Sequence, residues 1–239
     1  MPAELVFTAT YDEAANIERW IREVAQFRPG ADILIVDDNS PDGTSQIIEV
    51  LTAEYPQVTL ITRSGKLGLG SAHLLAMAYA LDHGYEHLVT MDADLSHQPS
   101  QISRLVDALW PAEFVIGTRT HGGTHQAPRF RQILSHGANF TARTLLPTGV
   151  TEYTSSMRVF TPQALTVLRD ATFHYGGYAF FIECLEVLHR AGIPMAERPI
   201  DFLDRRGGES KIPKNQIFTS MKALGDMALI RRGMKAPRA

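Results

Sequence analysis

The sequence contains a single cysteine, Cys184, among its 239 residues. One thiol cannot form an intramolecular disulfide or a zinc site built from several thiolates, and such scarcity is typical of reducing compartments. No stretch approaches the roughly 18 consecutive apolar residues of a membrane-spanning helix, and the first residues lack the pattern of a signal peptide. We therefore expect a cytoplasmic protein, with peripheral contact at the cytosolic face of a membrane left open.

An excess of basic residues is also absent. The chain has 23 lysines and arginines against 26 aspartates and glutamates, which gives a formal net charge of −3. Proteins that bind nucleic acids through the phosphate backbone need positive charge, so this balance argues against a nucleic-acid partner. The hydrophobic fraction of 44% is ordinary for a globular protein and is sufficient for a packed core.

The two common phosphate-binding fingerprints are missing as well. Lys66 follows Gly65 directly, which does not give the spacing of a P-loop. Gly68 and Gly70 lack the third glycine of a Rossmann fingerprint, because residue 73 is a histidine. The loop still places a cation ahead of a predicted helix N-terminus, which can bind phosphate through backbone N–H groups. A glycine-rich turn with a solvated lysine is the alternative.

Short apolar runs alternate with helix-period segments through the first half of the chain. The runs cover residues 5–8, 33–36, 58–61, 88–91 and 114–116, and the predicted helices cover residues 12–27, 43–54, 69–82 and 99–109. This alternation predicts an α/β fold with a mostly parallel central sheet and helices on both faces. Further helices are predicted over 129–146, 162–169, 178–191 and 215–232, with extended segments at 157–160 and 194–202.

Polar clusters follow the predicted strands, at the edge where open α/β sheets bind ligands. In the cluster after the fourth strand, Asp92 and Asp94 are two residues apart, so their carboxylates can face one divalent cation. Two like charges so close are costly without a counter-ion, and a cation that bridges to a diphosphate supplies one. A helix N-cap followed by a solvated acid is the alternative. Asp37 and Asp38 end the second strand, where carboxylates can accept hydrogen bonds from a ribose or a base.

Seven short segments then occur in a characteristic order. They are VDDNSPDGT (36–44), KLGLGSA (66–72), MDADLSH (91–97), GTR (117–119), RQILSHGAN (131–139), GGYAF (176–180) and GESKI (208–212). Together they resemble the dolichol- or polyprenol-phosphate mannose synthases, which are inverting family-2 glycosyltransferases with a GT-A fold. The resemblance implies a Rossmann-like GT-A domain over residues 1–213 with helices on its acceptor side. It leaves residues 214–239 as an amphipathic, basic helix that is part of this domain or peripheral to it.

The resemblance also implies an activity and a set of site residues. The activity is metal-dependent transfer of mannose from GDP-mannose to a polyprenyl phosphate, with Mg²⁺ or Mn²⁺ as cofactor. The implied nucleotide-sugar contacts are Tyr11, Glu13, Asp37, Asp38, Lys66, Asp92, Ala93, Arg205 and Lys211. The implied metal site comprises Asp92, Asp94 and Ser96, and the catalytic set comprises Asp94, Arg119, Arg131 and Ser135. Arg119, Arg131 and Ser135 would hold the acceptor phosphate, which is already largely anionic near neutral pH and needs no dedicated base.

Departures from the family pattern keep other functions open. TSSMR (154–158) stands where TSGFR is usual, and Ser96 stands where some members carry a glutamine ligand. The first departure removes an aromatic residue beside the acceptor region and permits a soluble small-molecule acceptor. A non-catalytic nucleotide-sensing or partner subunit is a third hypothesis, against which the paired acids argue. The basic end of the last helix, Arg231 to Arg238, can rest on anionic lipid or form a solvated tail.

Overall fold

A mostly parallel sheet lies at the centre of the fold. The computed structural model describes residues 3–120, 122–126, 129–204 and 216–231, and its main sheet has seven strands within these ranges. In chain order the strands are β1 (Glu4–Thr10), β2 (Asp32–Asp37), β3 (Val58–Thr62), β4 (His87–Thr90), β5 (Phe114–Thr118), β6 (Thr124–His125), β7 (Arg158–Phe160), β8 (Met195–Pro199) and β9 (Asp201–Phe202). The main sheet has the order β3-β2-β1-β4-β7-β5-β8, and β6 and β9 form a separate pair.

Helices cover both faces of this sheet. They are α1 (Ile17–Phe27), α2 (Thr44–Thr52), α3 (Leu69–Asp82), α4 (Ile102–Val106), α5 (Arg129–Leu145), α6 (Pro162–Arg169), α7 (Tyr178–Arg190) and α8 (Gln216–Arg231). One core cluster joins α1, α2 and α4 to the sheet, and the other joins α3, α6, α7 and α8 to its opposite face. Along β1, Val6 belongs to the first cluster while Leu5 and Phe7 belong to the second, as a strand buried on both faces requires. The predicted α/β class is confirmed.

The first helix begins later than predicted. The sequence pattern predicts a helix from residue 12, whereas α1 begins at Ile17. The backbone N–H groups of residues 12–14 donate instead to side-chain oxygens of the loop after β2, namely those of Ser40, Thr44 and Asp42. This loop-to-loop bonding explains the shorter helix, because the donors that would lie in its first turn are held against the neighbouring strand end.

Two other elements differ from the sequence-based prediction. The extended segment predicted at 157–160 is β7, which runs antiparallel between β4 and β5 and interrupts the parallel order. The helix predicted over 99–109 is a 3-10 turn at Pro99–Gln101 followed by the short α4. The first difference concerns the direction of a strand, and the second concerns the type and length of a helix.

A buried arginine ties β7 to its surroundings. Arg158 has no exposed surface, and its guanidinium donates to the backbone carbonyls of Tyr153, Ser155 and Phe181. Its charge also lies 4.7 Å from the centre of the Phe181 ring. Burial lowers the pKa of Arg158 to about 10, so the side chain stays charged at neutral pH. The loop over residues 153–155 is therefore fixed against the start of α7.

The last described helix packs on the same core. Ala223, Leu224 and Met227 of α8 are buried in the cluster that contains α7, and Arg231 donates to the carboxylate of Glu186. None of the helices in the described part of the chain is long and apolar enough to cross a bilayer. Helix α8 thus packs against α7 and the second core cluster.

Candidate active site

The loops that follow β1, β2 and β4 lie side by side. These three strands are parallel neighbours in the order β2-β1-β4, so their carboxyl ends share one edge of the sheet. The loops carry the residues predicted to contact the donor, namely Tyr11 and Glu13 after β1, Asp38 after β2, and Asp92 and Asp94 after β4. The polar clusters therefore meet at one edge, as the strand pattern predicted.

The Asp37 carboxylate is bound by hydroxyl groups within the protein. Its carboxylate is fully buried and accepts hydrogen bonds from the hydroxyls of Thr10 at 2.7 Å, Ser40 at 2.6 Å and Ser45 at 2.7 Å. Burial opposes ionisation, but these bonds and the backbone N–H of Ser40 outweigh it and lower the pKa of Asp37. In this structure the carboxylate has no exposed surface and three hydroxyl partners, so it anchors its own loop. The nucleotide contact by Asp37 stays a prediction.

Asp38 lies at the edge and organises the glycine-rich loop. Its carboxylate pairs with the guanidinium of Arg63 and accepts the backbone N–H of Gly68 at 3.3 Å. Arg63 in turn donates to the backbone carbonyl of Gly68 at 3.0 Å and to the hydroxyl of Ser71 at 2.6 Å. The pair therefore fastens the start of α3 to the end of β2. Gly68 has φ +96°, a conformation that side chains rarely adopt, which explains a glycine at this contact.

Lys66 and Tyr11, two of the predicted nucleotide contacts, meet in the structure. The Lys66 ammonium lies 4.0 Å from the centre of the Tyr11 ring, within the range of a cation–π interaction. Glu13 accepts a hydrogen bond from the Asn16 side chain at 2.8 Å. Four elements of secondary structure, α1, β2, α2 and β3, separate Tyr11 from Lys66 in the sequence, and the sheet edge brings the two residues together.

The loop after β4 presents the paired acids. The Asp92 side chain is 40% exposed, whereas Asp94 is buried and its carboxylate accepts both the backbone N–H and the hydroxyl of Ser96, at 3.0 Å and 2.5 Å. The indole N–H of Trp20 donates to the backbone carbonyl of Asp92 at 3.1 Å. Leu95 has φ +60°, which is unusual for a bulky residue and is typical of loops whose conformation is over-determined by their surroundings.

The remaining residues of this loop have structural roles. Ser96 is 1% exposed and donates its hydroxyl to Asp94, so in this geometry it orients the acid. Its place among the metal ligands stays a prediction. The Ala93 side chain is packed in the core, which leaves only its backbone for the predicted nucleotide contact.

The two acids fit a divalent cation that is shared with a diphosphate. Among the described residues no group of three histidine, cysteine, aspartate or glutamate side chains is placed to hold a metal ion. Mg²⁺ is commonly held by one or two carboxylates together with substrate phosphates, and carboxylate oxygens also suit Mn²⁺. Asp92 and Asp94 supply that number and type of ligand, so the donor set matches a cation that arrives with its nucleotide.

Arg119 has a partner that the sequence analysis did not anticipate. Its guanidinium makes a two-point contact with Glu152, at 3.1 Å and 2.8 Å, and also donates to the hydroxyl of Thr154 at 2.6 Å. Burial opposes the ionisation of Glu152, but Arg119 and the hydrogen bonds from Asn139 and Thr154 lower the pKa of Glu152 to about 2. The charge of Arg119 is therefore already compensated within the protein, and its contact with the acceptor phosphate stays a prediction.

The other predicted acceptor residues are only partly described. Arg131 and Ser135 lie one turn apart on α5, as predicted, and Ser135 is half-buried. The side chain of Arg131 falls outside the described part of the chain, as do Arg205 and Lys211.

The sequence analysis also missed residues that shape the site. Arg63 follows β3 directly and precedes the glycine-rich loop, a position that signals a strand-end contact. Glu152 precedes the TSSMR segment but gives no local sign of its pairing with Arg119, which lies 33 residues away. His97 is 1% exposed, and burial lowers its pKa.

The fold is that of the GT-A glycosyltransferases. A glucosyl-3-phosphoglycerate synthase from Mycobacterium tuberculosis, solved with Mn²⁺, UDP-glucose and glycerol 3-phosphate, superposes with a TM-score of 0.69 at 18% identity, over 98% of this chain and 82% of that one. A mannosyltransferase from Pyrobaculum calidifontis, solved with GDP-mannose and Mn²⁺, gives a TM-score of 0.55 at 17% identity, over 99% of this chain and 76% of that one.

Comparison of the sequence with known proteins identifies the family. Residues 5–168 match Glycosyl transferase family 2, and the chain belongs to that family. An undecaprenyl-phosphate mannosyltransferase from Micrococcus luteus is 34% identical over 210 residues, which cover 87% of this chain and 86% of the relative. A polyprenol monophosphomannose synthase from Mycolicibacterium smegmatis is 36% identical over 221 residues, 91% of this chain and 83% of the relative.

Replacing Glu152 tests the buried ion pair. Glu152→Gln leaves the buried Arg119 charge without its carboxylate partner, so we expect the free energy of unfolding at pH 7 to fall by about 3–5 kcal/mol. Urea unfolding followed by circular dichroism measures this loss. Glu54→Gln, which removes one acid of an exposed pair with Arg22, is the matched control and should leave the midpoint nearly unchanged.

The pH dependence follows from the lowered pKa. The ordinary pKa of a glutamate is 4.5 and that of Glu152 in the folded protein is about 2. The stabilisation is therefore complete above pH 4.5 and is lost as the pH falls towards 2. The stability gap between wild type and Glu152→Gln should be constant from pH 7 to about pH 5 and narrow below that; a gap that widens in acid contradicts the assignment.

Proposed function

We propose that this protein transfers mannose from GDP-mannose to a polyprenyl phosphate, with inversion at the anomeric carbon. The observation that carries the proposal is the exposed Asp92 carboxylate beside Asp94 at the sheet edge, in a chain whose relatives are named as polyprenyl-phosphate mannosyltransferases. The donor is proposed from the family resemblance together with the GDP-mannose bound in the Pyrobaculum enzyme.

The donor side of the reaction follows from the residues at the edge. Asp92 and Asp94 would hold the cation, which when bound neutralises the diphosphate and stabilises the leaving nucleotide. Asp38 is proposed to accept a hydrogen bond from the base or ribose, while Arg63 keeps its carboxylate in place. Lys66 adds a positive charge beside the Tyr11 ring. Arg205 and Lys211 are proposed to contact the diphosphate from the segment after β9.

The acceptor side favours a group that is already anionic. Glu152 is the buried carboxylate of this region, and its pKa of about 2 makes it a weak base for removing a proton from a sugar hydroxyl. A phosphate monoester has a second pKa of about 6 and needs no such base at neutral pH. Arg131 and Ser135 of α5 are therefore proposed to orient an acceptor phosphate for in-line attack on the anomeric carbon.

The altered TSSMR segment bears less on the acceptor than its sequence indicates. Ser155 and Ser156 are buried, and Met157 is fully buried in the core cluster around α1, α2 and α4. The exchange of glycine and phenylalanine for serine and methionine is thus a change in packing beneath the site. A soluble acceptor remains the second candidate, because the Mycobacterium enzyme of the same fold is solved with phosphoglyceric acid.

A transfer assay separates the candidates. The purified protein is incubated with labelled GDP-mannose, Mn²⁺ or Mg²⁺, and either undecaprenyl phosphate in detergent or a panel of soluble phosphates that includes 3-phosphoglycerate. We expect labelled product in the organic phase. Product with soluble acceptors alone would replace the lipid acceptor, and nucleotide binding without any product would favour a non-catalytic subunit. A parallel reaction with labelled UDP-glucose tests the donor.

Asp94 is the residue whose replacement tests the cation assignment. Asp94→Asn keeps the side-chain volume but removes a charged oxygen ligand, so we expect Mn²⁺ binding in the presence of GDP to weaken by more than about 10-fold, the loss that even outer-shell substitutions produce. Electron paramagnetic resonance of free Mn²⁺ measures the affinity. Asp32→Asn, at the opposite end of β2, is the control and should bind Mn²⁺ as wild type does. Equal affinity in Asp94→Asn would remove this acid from the metal site.

A membrane contact is proposed for the surface formed by α5 and α8. Phe140 of α5 is 63% exposed and Met221 of α8 is 45% exposed, and these two helices pack against each other. The Arg143 guanidinium lies 6.0 Å from the Phe140 ring centre, which places a cation beside the apolar side chain. Apolar and basic groups on neighbouring helices favour the interface of an anionic membrane, where a polyprenyl phosphate resides.

Vesicle flotation tests this contact. We expect the protein to float with phosphatidylglycerol vesicles and the double variant Phe140→Ser, Met221→Ser to float several-fold less, because it removes the exposed apolar groups. Trp110→Ser is the matched control, since Trp110 is 88% exposed but precedes β5 and belongs to neither α5 nor α8. Equal loss in the control, or no loss in the double variant, would contradict the assignment of this surface.

A further inference from the structure

We propose that His97 is a positioning residue, whose Nδ1 accepts the backbone N–H of Asp92 and thereby holds the Asp92 carboxylate at the cleft for the divalent cation. The inference rests on the proposed function, in which Asp92 is a cation ligand. It concerns a residue that the ligand and catalytic assignments leave without a role.

The contact joins a buried ring to an exposed acid. The backbone N–H of Asp92 donates to Nδ1 of His97 over 3.4 Å, and Nδ1 lies 3.5 Å from Oδ2 of the Asp92 carboxylate. The His97 side chain is 1% exposed and that of Asp92 is 40% exposed. The buried imidazole thus contacts the backbone of Asp92, while the carboxylate of Asp92 is partly exposed to solvent. Because a backbone N–H donates to it, Nδ1 is the unprotonated nitrogen and the ring proton resides on Nε2.

The ring itself is held in place by a separate segment of the chain. His97 packs edge-on against Phe202, with 5.1 Å between the ring centres, and Phe202 belongs to β9. The backbone N–H of Leu203 donates to the carbonyl of Ser96 at 3.0 Å, next to His97. These contacts fix the position of the imidazole, so it can act as a rigid support.

The loop needs such a support because its backbone is strained. Leu95 has φ +60° between the two ends of the His97 contact, a conformation that costs a non-glycine residue on the order of 1–2 kcal/mol. Trp20 holds the carbonyl of Asp92 and His97 holds its N–H, so both sides of the residue are tied. Removal of either contact frees the peptide that sets the direction of the carboxylate.

The surroundings of His97 Nε2 show that packing alone does not account for a histidine at this position. Nε2 is buried and has no hydrogen-bond partner among the described residues. A buried polar group without a partner costs about 1–3 kcal/mol, and a leucine would fill similar space without that cost. The benefit that offsets it is the hydrogen bond at Nδ1, which leucine cannot make.

Three substitutions of His97 distinguish the role of Nδ1 from that of Nε2. The side-chain oxygen of His97→Asn can occupy the place of Nδ1, whereas the amide of His97→Gln reaches the place of Nε2, and His97→Leu offers neither. We expect Mn²⁺ affinity, measured by electron paramagnetic resonance with saturating GDP or UDP, to stay within about 3-fold of wild type in His97→Asn. In His97→Gln and His97→Leu it should weaken by about 10- to 100-fold, the range typical of lost outer-shell contacts.

A second buried histidine provides the matched control. His73 is equally buried, packs edge-on against Phe7 and Phe181, and burial lowers its pKa to about 3. His73→Leu should change the melting temperature to an extent similar to His97→Leu but leave Mn²⁺ affinity unchanged. Thermal unfolding is recorded for every variant, and affinity is compared below the melting temperature of the least stable one.

Several outcomes would overturn the inference. Wild-type affinity in His97→Leu would show that Asp92 needs no support from residue 97. A loss in His97→Asn with retention in His97→Gln would assign the role to Nε2, and an equal loss in His73→Leu would make the effect a general one on stability. Absence of Mn²⁺ binding by the wild-type protein would also refute it. Failure of mannosyl transfer is separate, because it is measured on the wild-type protein with lipid acceptor and leaves these affinities interpretable.

Discussion

Negative charges crowd one edge of the sheet, and the site depends on how each of them is compensated. The Asp37 carboxylate is stabilised as an anion by three hydroxyls that donate to it from β1, its own loop and α2. Asp38 pairs with Arg63, and Glu152 with Arg119. The Asp92 side chain is 40% exposed to solvent. Because the neighbouring acids are already paired or hydrogen-bonded within the protein, Asp92, with Asp94 beside it, is the place where a bound cation would be stabilised most.

Much of the architecture follows from the sequence, because apolar runs and helix-period segments report local burial. The strands at residues 4–10, 32–37 and 58–62 and the carboxyl-end loops lie where the pattern predicts them. The late start of α1 could not be predicted, since it depends on the side chains of Ser40, Asp42 and Thr44, which accept hydrogen bonds from the N–H groups of residues 12–14. The antiparallel direction of β7 is likewise set by pairing with β4 and β5, which the local pattern does not encode.

For the site, residue type predicts chemistry better than it predicts exposure. Asp37 and Asp38 are adjacent and chemically identical, yet one is sealed inside the loop and the other meets the glycine-rich segment. Ser96 and Arg119 are polar residues in motif positions, but each is bound to an acid of the protein itself. What separates an interior contact from a ligand contact is the position of distant partners such as Ser45 and Glu152. Those partners become visible only when the chain is folded.

The placement of β7 between β4 and β5 has a consequence for synthesis on the ribosome. Strands β3, β2, β1 and β4 join through parallel pairs within residues 4–90, so they can assemble when about the first 90 residues have emerged. Strand β5 pairs only with β7 and β8 in this sheet, so it has no sheet partner until residue 160 has been made. During that interval β4 presents an unpaired edge, and loop-closure entropy opposes the long-range contact that ends it. The nascent chain thus exposes an unpaired strand edge, open to pairing with other chains, until the three-residue strand β7 has been made.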